Sequence, residues 1–137
     1  MPVLRYLAVL QTASNKPPSS QAPDPRRELR IVANEDTFVY FELMDDGSSP
    51  VQHADGQTMR LTVRPTPQVD DEKVFKLDLV PAPDQGPSTW RVTFTADETR
   101  RKAPGFDRGF YDVVLIRTNG QRDFVVRTSP FKLLGAP

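Results

Sequence analysis

The sole histidine, His53, stands in the stretch HADG with Asp55 two residues on. An imidazole beside a carboxylate is the base half of a hydrolytic triad, which also needs a positioned nucleophile. The polar loop around it supplies none, and His53 reads as an exposed loop residue. Two acidic runs, Asp45-Asp46 and Asp70-Asp71-Glu72, offer the carboxylate oxygens that calcium collects. Neither has the alternate-residue spacing of a calcium loop, and both occupy turn-forming stretches. Arg26-Arg27 and Arg100-Arg101-Lys102 read as solvated charge, with the basic side of an ion-paired interface as the functional alternative. Trp90 would stack a sugar if exposed, but it keeps phase with Val92 and Phe94, which assigns it to a core. The stretch GFDRGFYD (105–112) lacks both the spacing and the strand–loop–helix setting of a phosphate loop. With no cysteine in the chain, thiol chemistry, disulfides and Cys-ligated metals drop out. The residues describe no enzyme, no cofactor site and no metal site.

Composition narrows the class further. The chain has 137 residues, which suits one domain that buries roughly 65–70% of its unfolded surface. Lysine plus arginine and aspartate plus glutamate both total 18, giving a formal net charge of zero. A nucleic-acid binder relies on a basic surface, and a membrane-surface protein on a polybasic patch, so neither partner is expected. The opening MPVLRYLAVLQTAS is too short and interrupted for a signal peptide, and no run approaches the ~20 apolar residues of a membrane span. A soluble protein is expected.

The elements that must hold these residues are punctuated by proline. Fourteen prolines against seven glycines cluster between apolar runs, at 16–25, 64–68 and 80–87, and again at Pro104 and Pro130. Proline has no amide hydrogen for a sheet ladder, so it marks connections and edges. Between these breaks lie runs rich in β-branched and aromatic residues: 28–33, 37–44, 58–64, 73–80, 89–95, 110–117, 122–128 and 130–134. Several alternate strictly. Met59, Leu61 and Val63 oppose Arg60, Thr62 and Arg64; Trp90, Val92 and Phe94 oppose Arg91, Thr93 and Thr95; Phe75, Leu77 and Leu79 oppose Lys76 and Asp78. Period two with one polar face predicts antiparallel sheets with one face on a core. Runs 37–44 and 110–117 are apolar on both faces, which suits central strands or strands covered by a neighbouring chain. Thr95 three before Glu98 is a capping box and opens a helix of a turn or two before Pro104. Asn119-Gly120 between two alternating runs predicts a type I′ hairpin, with both residues at positive φ. The pattern predicts an all-β fold, an immunoglobulin-like antiparallel β-sandwich of 7–8 strands with one short helical turn.

Residues 1–27 stand apart from that sandwich, which occupies 28–137. VLRYLAVL reads as a strand, but the Pro/Ser stretch KPPSSQAPDP separates it from the domain and is expected to hold it away from its own core. Two readings remain: a tail or extra edge strand of the same domain, or an arm that pairs with another subunit. An apolar strand on a tether is costly to leave exposed. The arm reading makes Val3, Leu4, Tyr6, Leu7, Val9 and Leu10 the partner-binding residues.

The succession of motifs resembles the small immunoglobulin-like domain of tailed-bacteriophage tail and baseplate proteins, as in the N-terminal region of the baseplate upper protein. The matching residues are Asp36-Thr37 leading into a strand, Asp45-Asp46-Gly47 with Pro50, and the arginine-ended Val63-Arg64. They continue with Ala96 to Thr99, then Gly109-Phe110-Tyr111-Asp112-Val113, then Asn119-Gly120, and the resemblance covers about residues 28–134. Two departures are Glu35, where the family has glycine before Asp-Thr, and VQHADG at 51–56 in place of the usual Asp-Leu-Thr-Gly. The resemblance implies a virion structural protein without catalysis, docking into a symmetric assembly. Its partners would be other virion structural proteins and copies of itself, in the tail or baseplate rather than on the capsid surface. A capsid decoration or head-fibre protein is the nearest alternative. A secreted carbohydrate- or ligand-binding module is the alternative of another class, and it would show a row of aromatics outside core phase, which the sequence does not contain.

Overall fold

Each apolar run between the proline-rich breaks folds as a strand. The computed structural model describes residues 3–10, 28–45, 49–66, 68 and 73–135. In chain order the strands are β1 (Val3–Leu10), β2 (Leu29–Val32), β3 (Thr37–Asp45), β4 (Thr58–Arg64), β5 (Phe75–Pro81) and β6 (Thr89–Phe94). Then come helix α1 (Ala96–Lys102), a 3-10 turn (Ala103–Gly105), β7 (Arg108–Ile116) and β8 (Arg122–Leu134). The fold is all-β with one short helix, as the sequence predicts.

The strands hydrogen-bond in the order β1-β3-β6-β5-β4-β7-β8-β2. β5 is where this sheet changes layer. Its residues Phe75–Leu79 pair with β4, whereas only Val80 and Pro81 reach across to Arg91 and Trp90 of β6. The sheet bends there, and β1 at one end of the order also comes close to β8 near the other, so the two layers nearly close into a barrel. Pairing inside the sheet is antiparallel, but both end pairs, β1 with β3 and β2 with β8, are parallel. No short hairpin joins either end strand to its partner, so turn geometry does not dictate an antiparallel direction there.

The core lies between the layers. Leu29 and Ile31, Val39 and Phe41, Met59, Leu61 and Val63, Trp90, Val92 and Phe94, and Val113 and Leu115 are all buried. At one end Phe75, Phe94 and Phe131 meet with ring centroids 5.5–5.9 Å apart, the offset and edge-on distances that aromatic quadrupoles favour. The two runs that are apolar on both faces find separate explanations. β7 lies between β4 and β8, and β3 is one strand in from the end, with Phe38 of its outer face beneath the Arg91 guanidinium at 5.1 Å.

Two local expectations need correction. The runs 122–128 and 130–134 form one strand, β8, through Pro130. Pro130 pairs with Phe110, one residue before β2 joins at Phe131, so at Pro130 the strand has a paired neighbour on one side only. The hairpin at Asn119-Gly120 is not type I′. Gly120 alone has positive φ (87°), its amide donates to the Arg117 carbonyl at 2.9 Å, and Arg117 and Gln121 close the loop. That is a three-residue loop, a β-turn followed by a left-handed glycine. The Asn119 side chain accepts the Gln121 amide at 2.9 Å, which holds the loop without Asn119 itself turning left-handed.

Candidate functional site

Distant motifs meet at the helix end of the sandwich. α1 begins where β6 ends: Thr95 leaves extended backbone, and its hydroxyl accepts the Glu98 amide at 3.2 Å. Asp97 and Glu98 occupy the first turn, and Arg100, Arg101 and Lys102 the last, each sign at the favourable end of the helix dipole. Arg100 and Arg101 also pair with Asp97, so this basic cluster is solvated surface charge. The inner face of the helix carries one buried residue, Thr99. Its hydroxyl is 3.0 Å from the Thr95 carbonyl, to which it donates, and accepts the Asn34 amide at 3.0 Å. Asn34 sits at φ 67°, the left-handed position of the tight β2–β3 turn. Two residues on, the Asp36 carboxylate accepts the Ala96 amide at 2.6 Å, satisfying a second orphan donor of α1. The Asp-Thr lead-in to β3 and the Thr-containing helical turn are therefore one interlocked unit.

The arginine that ends β4 and the aspartate of β7 form the second junction. Thr62 is the registered neighbour of Asp112, and Arg64 lies diagonally across, where long side chains reach. Arg64 Nη2 donates to Asp112 Oδ2, with side chains only 1% and 5% exposed. Strand alternation puts Arg64 on the face of β4 expected to be polar, so its burial departs from the reading of Arg60, Thr62 and Arg64 as a polar row. Gly109 completes the junction. A Cβ there would stand 2.1 Å from the Arg64 carbonyl and 2.9 Å from the Phe106 ring, so only glycine lets β7 lie this close to β4. Glu28, just before β2, hydrogen-bonds Arg30 at 2.7 Å and reaches Lys132 of β8 at 3.3 Å. The Arg30 hydrogen bond leads in holding its carboxyl below the ordinary carboxylate range, with Lys132 adding to it against the partial loss of water.

The other residues singled out by type are accounted for one at a time. His53 is half-buried rather than exposed. Its Nε2 lies 2.6 Å from the Thr89 carbonyl, and its ring meets Trp90 edge-on at 5.2 Å, while Asp55 stands exposed in the turn. The loop folds back onto the sheet, a contact that local polarity gave no sign of. Trp90 is 1% exposed and belongs to the core cluster with Leu61, Val92, Phe94 and Val113. The Asp45 carboxylate accepts the Ser49 amide at 2.9 Å and closes its own turn. Asp46-Gly47, Asp70-Asp71-Glu72 and Arg26-Arg27 lie outside the described residues. Among the described residues no cluster of three or more His, Cys, Asp or Glu side chains is placed to hold a metal ion.

The six arm residues all fall on β1, and the structure lays that strand along β3 of the same chain. Val3, Leu4, Tyr6, Leu7, Val9 and Leu10 are registered against Phe38, Val39, Phe41, Glu42, Met44 and Asp45. Of the two readings of residues 1–27, this is the edge-strand arrangement as seen within one chain. The linker that was expected to hold it away lies outside the described residues.

In the sequence Asp36, Thr99 and Asp112 stand out only as members of matching motifs, and Arg64 also as part of a polar strand face; none of these patterns shows what the four residues do. One signal was present: Asp112 interrupts the apolar run FYDVVLI, where a carboxylate needs a partner. No family model matches this chain. No curated protein matches it. Among solved structures it is similar to the N-terminal domain of phage TP901-1 ORF48, with a TM-score of 0.47 and 11% identity, over 98% of this chain and 99% of that one.

Proposed function

We propose that the chain is a non-enzymatic structural protein of a tailed-bacteriophage virion, an immunoglobulin-like adaptor that docks in the tail or baseplate. The observation that carries this reading is the convergence at the helix end. Motifs that the sequence shares with the phage tail and baseplate domain, separated by up to 76 positions between Asp36 and Asp112, interlock there through Asp36–Ala96, Asn34–Thr99 and Arg64–Asp112. A set of separately weak motifs that pair with one another in two tertiary junctions is a stronger mark of kinship than the same motifs in a row. Strand order adds to it. Grouping β3 with β6 in one layer and β4 with β7 and β8 in the other, with a short strand parallel to the last one, follows immunoglobulin-like connectivity.

The absence of catalysis in this proposal rests on where the reactive groups are committed. His53 serves the Thr89 carbonyl and the Trp90 ring, Thr99 ties the β2–β3 turn to α1, and Asp112 holds Arg64. Each is used in holding the fold together. The test is quantitative mass spectrometry of particles purified from the virus that encodes the chain, before and after separation of heads from tails. A fixed copy number per tail supports the proposal. Recovery with heads moves the protein to the capsid, and recovery only in the particle-free supernatant overturns the virion role.

A further inference from the structure

We propose that β1 is an exchangeable strand and that the β3 edge accepts the β1 of a second copy of this chain. This deepens the docking reading by naming one partner, and it is tested on the isolated protein, so its failure leaves the virion experiment untouched. The parallel pairing is the first observation. A parallel neighbour cannot be reached through a tight turn, so nothing local fixes β1 to its own β3. The segment 11–27 joins it to the sandwich, seventeen residues with prolines at 17, 18, 23 and 25. A chain of that length reaches roughly 50 Å when extended, at about 3.1 Å per residue. A domain of 137 residues is roughly 35–40 Å across, so the same tether reaches its own β3 or a neighbour's.

The second observation is the need at the receiving edge. Without β1, β3 would be the end of the sheet, and its nine residues Thr37–Asp45 would present an unpaired ladder, a template for uncontrolled pairing. Every position from Phe38 to Asp45 is registered with β1, and an exchanged strand would restore each pair unchanged. Exchange therefore makes and breaks identical contacts, which is why swapping of one element costs little. What decides between the two forms is concentration. A tether of this length supplies its own strand at an effective concentration of about 1 mM, so dilute chains close on themselves and chains packed side by side exchange.

The absence of cysteine allows a direct trap. Leu7 and Glu42 are registered partners, and Glu42 is exposed. Full-length L7C and E42C single variants, one carrying a mass tag, are mixed in urea, refolded together at about 10 µM and about 1 mM, and oxidised. Only exchange between unlike variants is trapped, so in an equimolar mixture the expected cross-chain disulfide product is about 0.5% at the lower total concentration and about a quarter at the higher, following partner-chain concentration over effective plus total chain concentration. A mixture of L7C with D84C, an exposed turn position, measures random collision. A cross-chain yield at 1 mM that stays within a few per cent, or one no greater than the L7C–D84C mixture, overturns the proposal.

Discussion

Replacing Asp112 with alanine removes the carboxylate that faces Arg64 and leaves a guanidinium whose side chain is only 1% exposed. Removing one partner of a buried ion pair costs about 3–5 kcal/mol, because the charge left behind loses the counter-charge that offset its burial. A domain of this length has a total stability of roughly 7–15 kcal/mol, so the loss is about a fifth of it or more. Urea unfolding followed by the emission of Trp90, the chain's one tryptophan and a buried one, reads the change directly. With a slope of about 2 kcal/mol per molar urea, the midpoint should fall by about 2 M. The matched variant R64M/D112A removes both charges, and a pair replaced by apolar groups is often neutral or better. It should recover at least about 2 kcal/mol of the single variant's loss, a coupling that a double-mutant cycle isolates. A D112A midpoint within about 0.3 M of wild type, or a double variant no more stable than D112A, would refute the claim that this pair is a buried, mutually dependent unit.

Three further outcomes follow from the same geometry. Trp90→Ala should cost about 3–5 kcal/mol by leaving a cavity beside Val92 and Phe94; Trp90→Phe should cost much less, because the indole Nε1 has no hydrogen-bond partner among the described residues. Gly120→Val, measured by thermal melting, should lower stability by about 1–3 kcal/mol through left-handed strain alone, since nothing lies within 4 Å of a Cβ there. Asn119→Ala should be milder than Gly120→Val, as Asn119 is not left-handed. Thr99→Val keeps the shape but strands the Asn34 amide, and should cost about 1–3 kcal/mol by urea unfolding, with faster hydrogen exchange in the β2–β3 turn.

Strand positions, the core face of β4 and β6, the helix start at Thr95 and the burial of Trp90 were all legible in the chain, because each depends on period two or on a capping contact within four residues. Hydrophobic alternation is a local quantity, and a strand carries it wherever its partner lies. The hairpin at 118–120 was legible as a turn but not as a type. Asn-Gly announces a reversal, while the loop length that selects the turn is set by where Arg117 and Gln121 pair across the strands.

Tertiary structure alone decided the rest. Arg64 and Asp112 lie 48 positions apart, Arg64 on a face that looks polar and Asp112 inside an apolar run; only the β4–β7 register makes them one buried pair. His53 looked like a loop residue until the chain returned to β6 and brought the Thr89 carbonyl beneath it. The direction of β1 and β2 had no local signal either, since no turn connects them to β3 and β8 and both directions satisfy the same alternation. Sequence settles which side of a strand seeks the core, because that is written every second residue. Which strand lies beside it, and in which direction, is settled by contacts between residues far apart in the chain, which exist only once the sheet has closed.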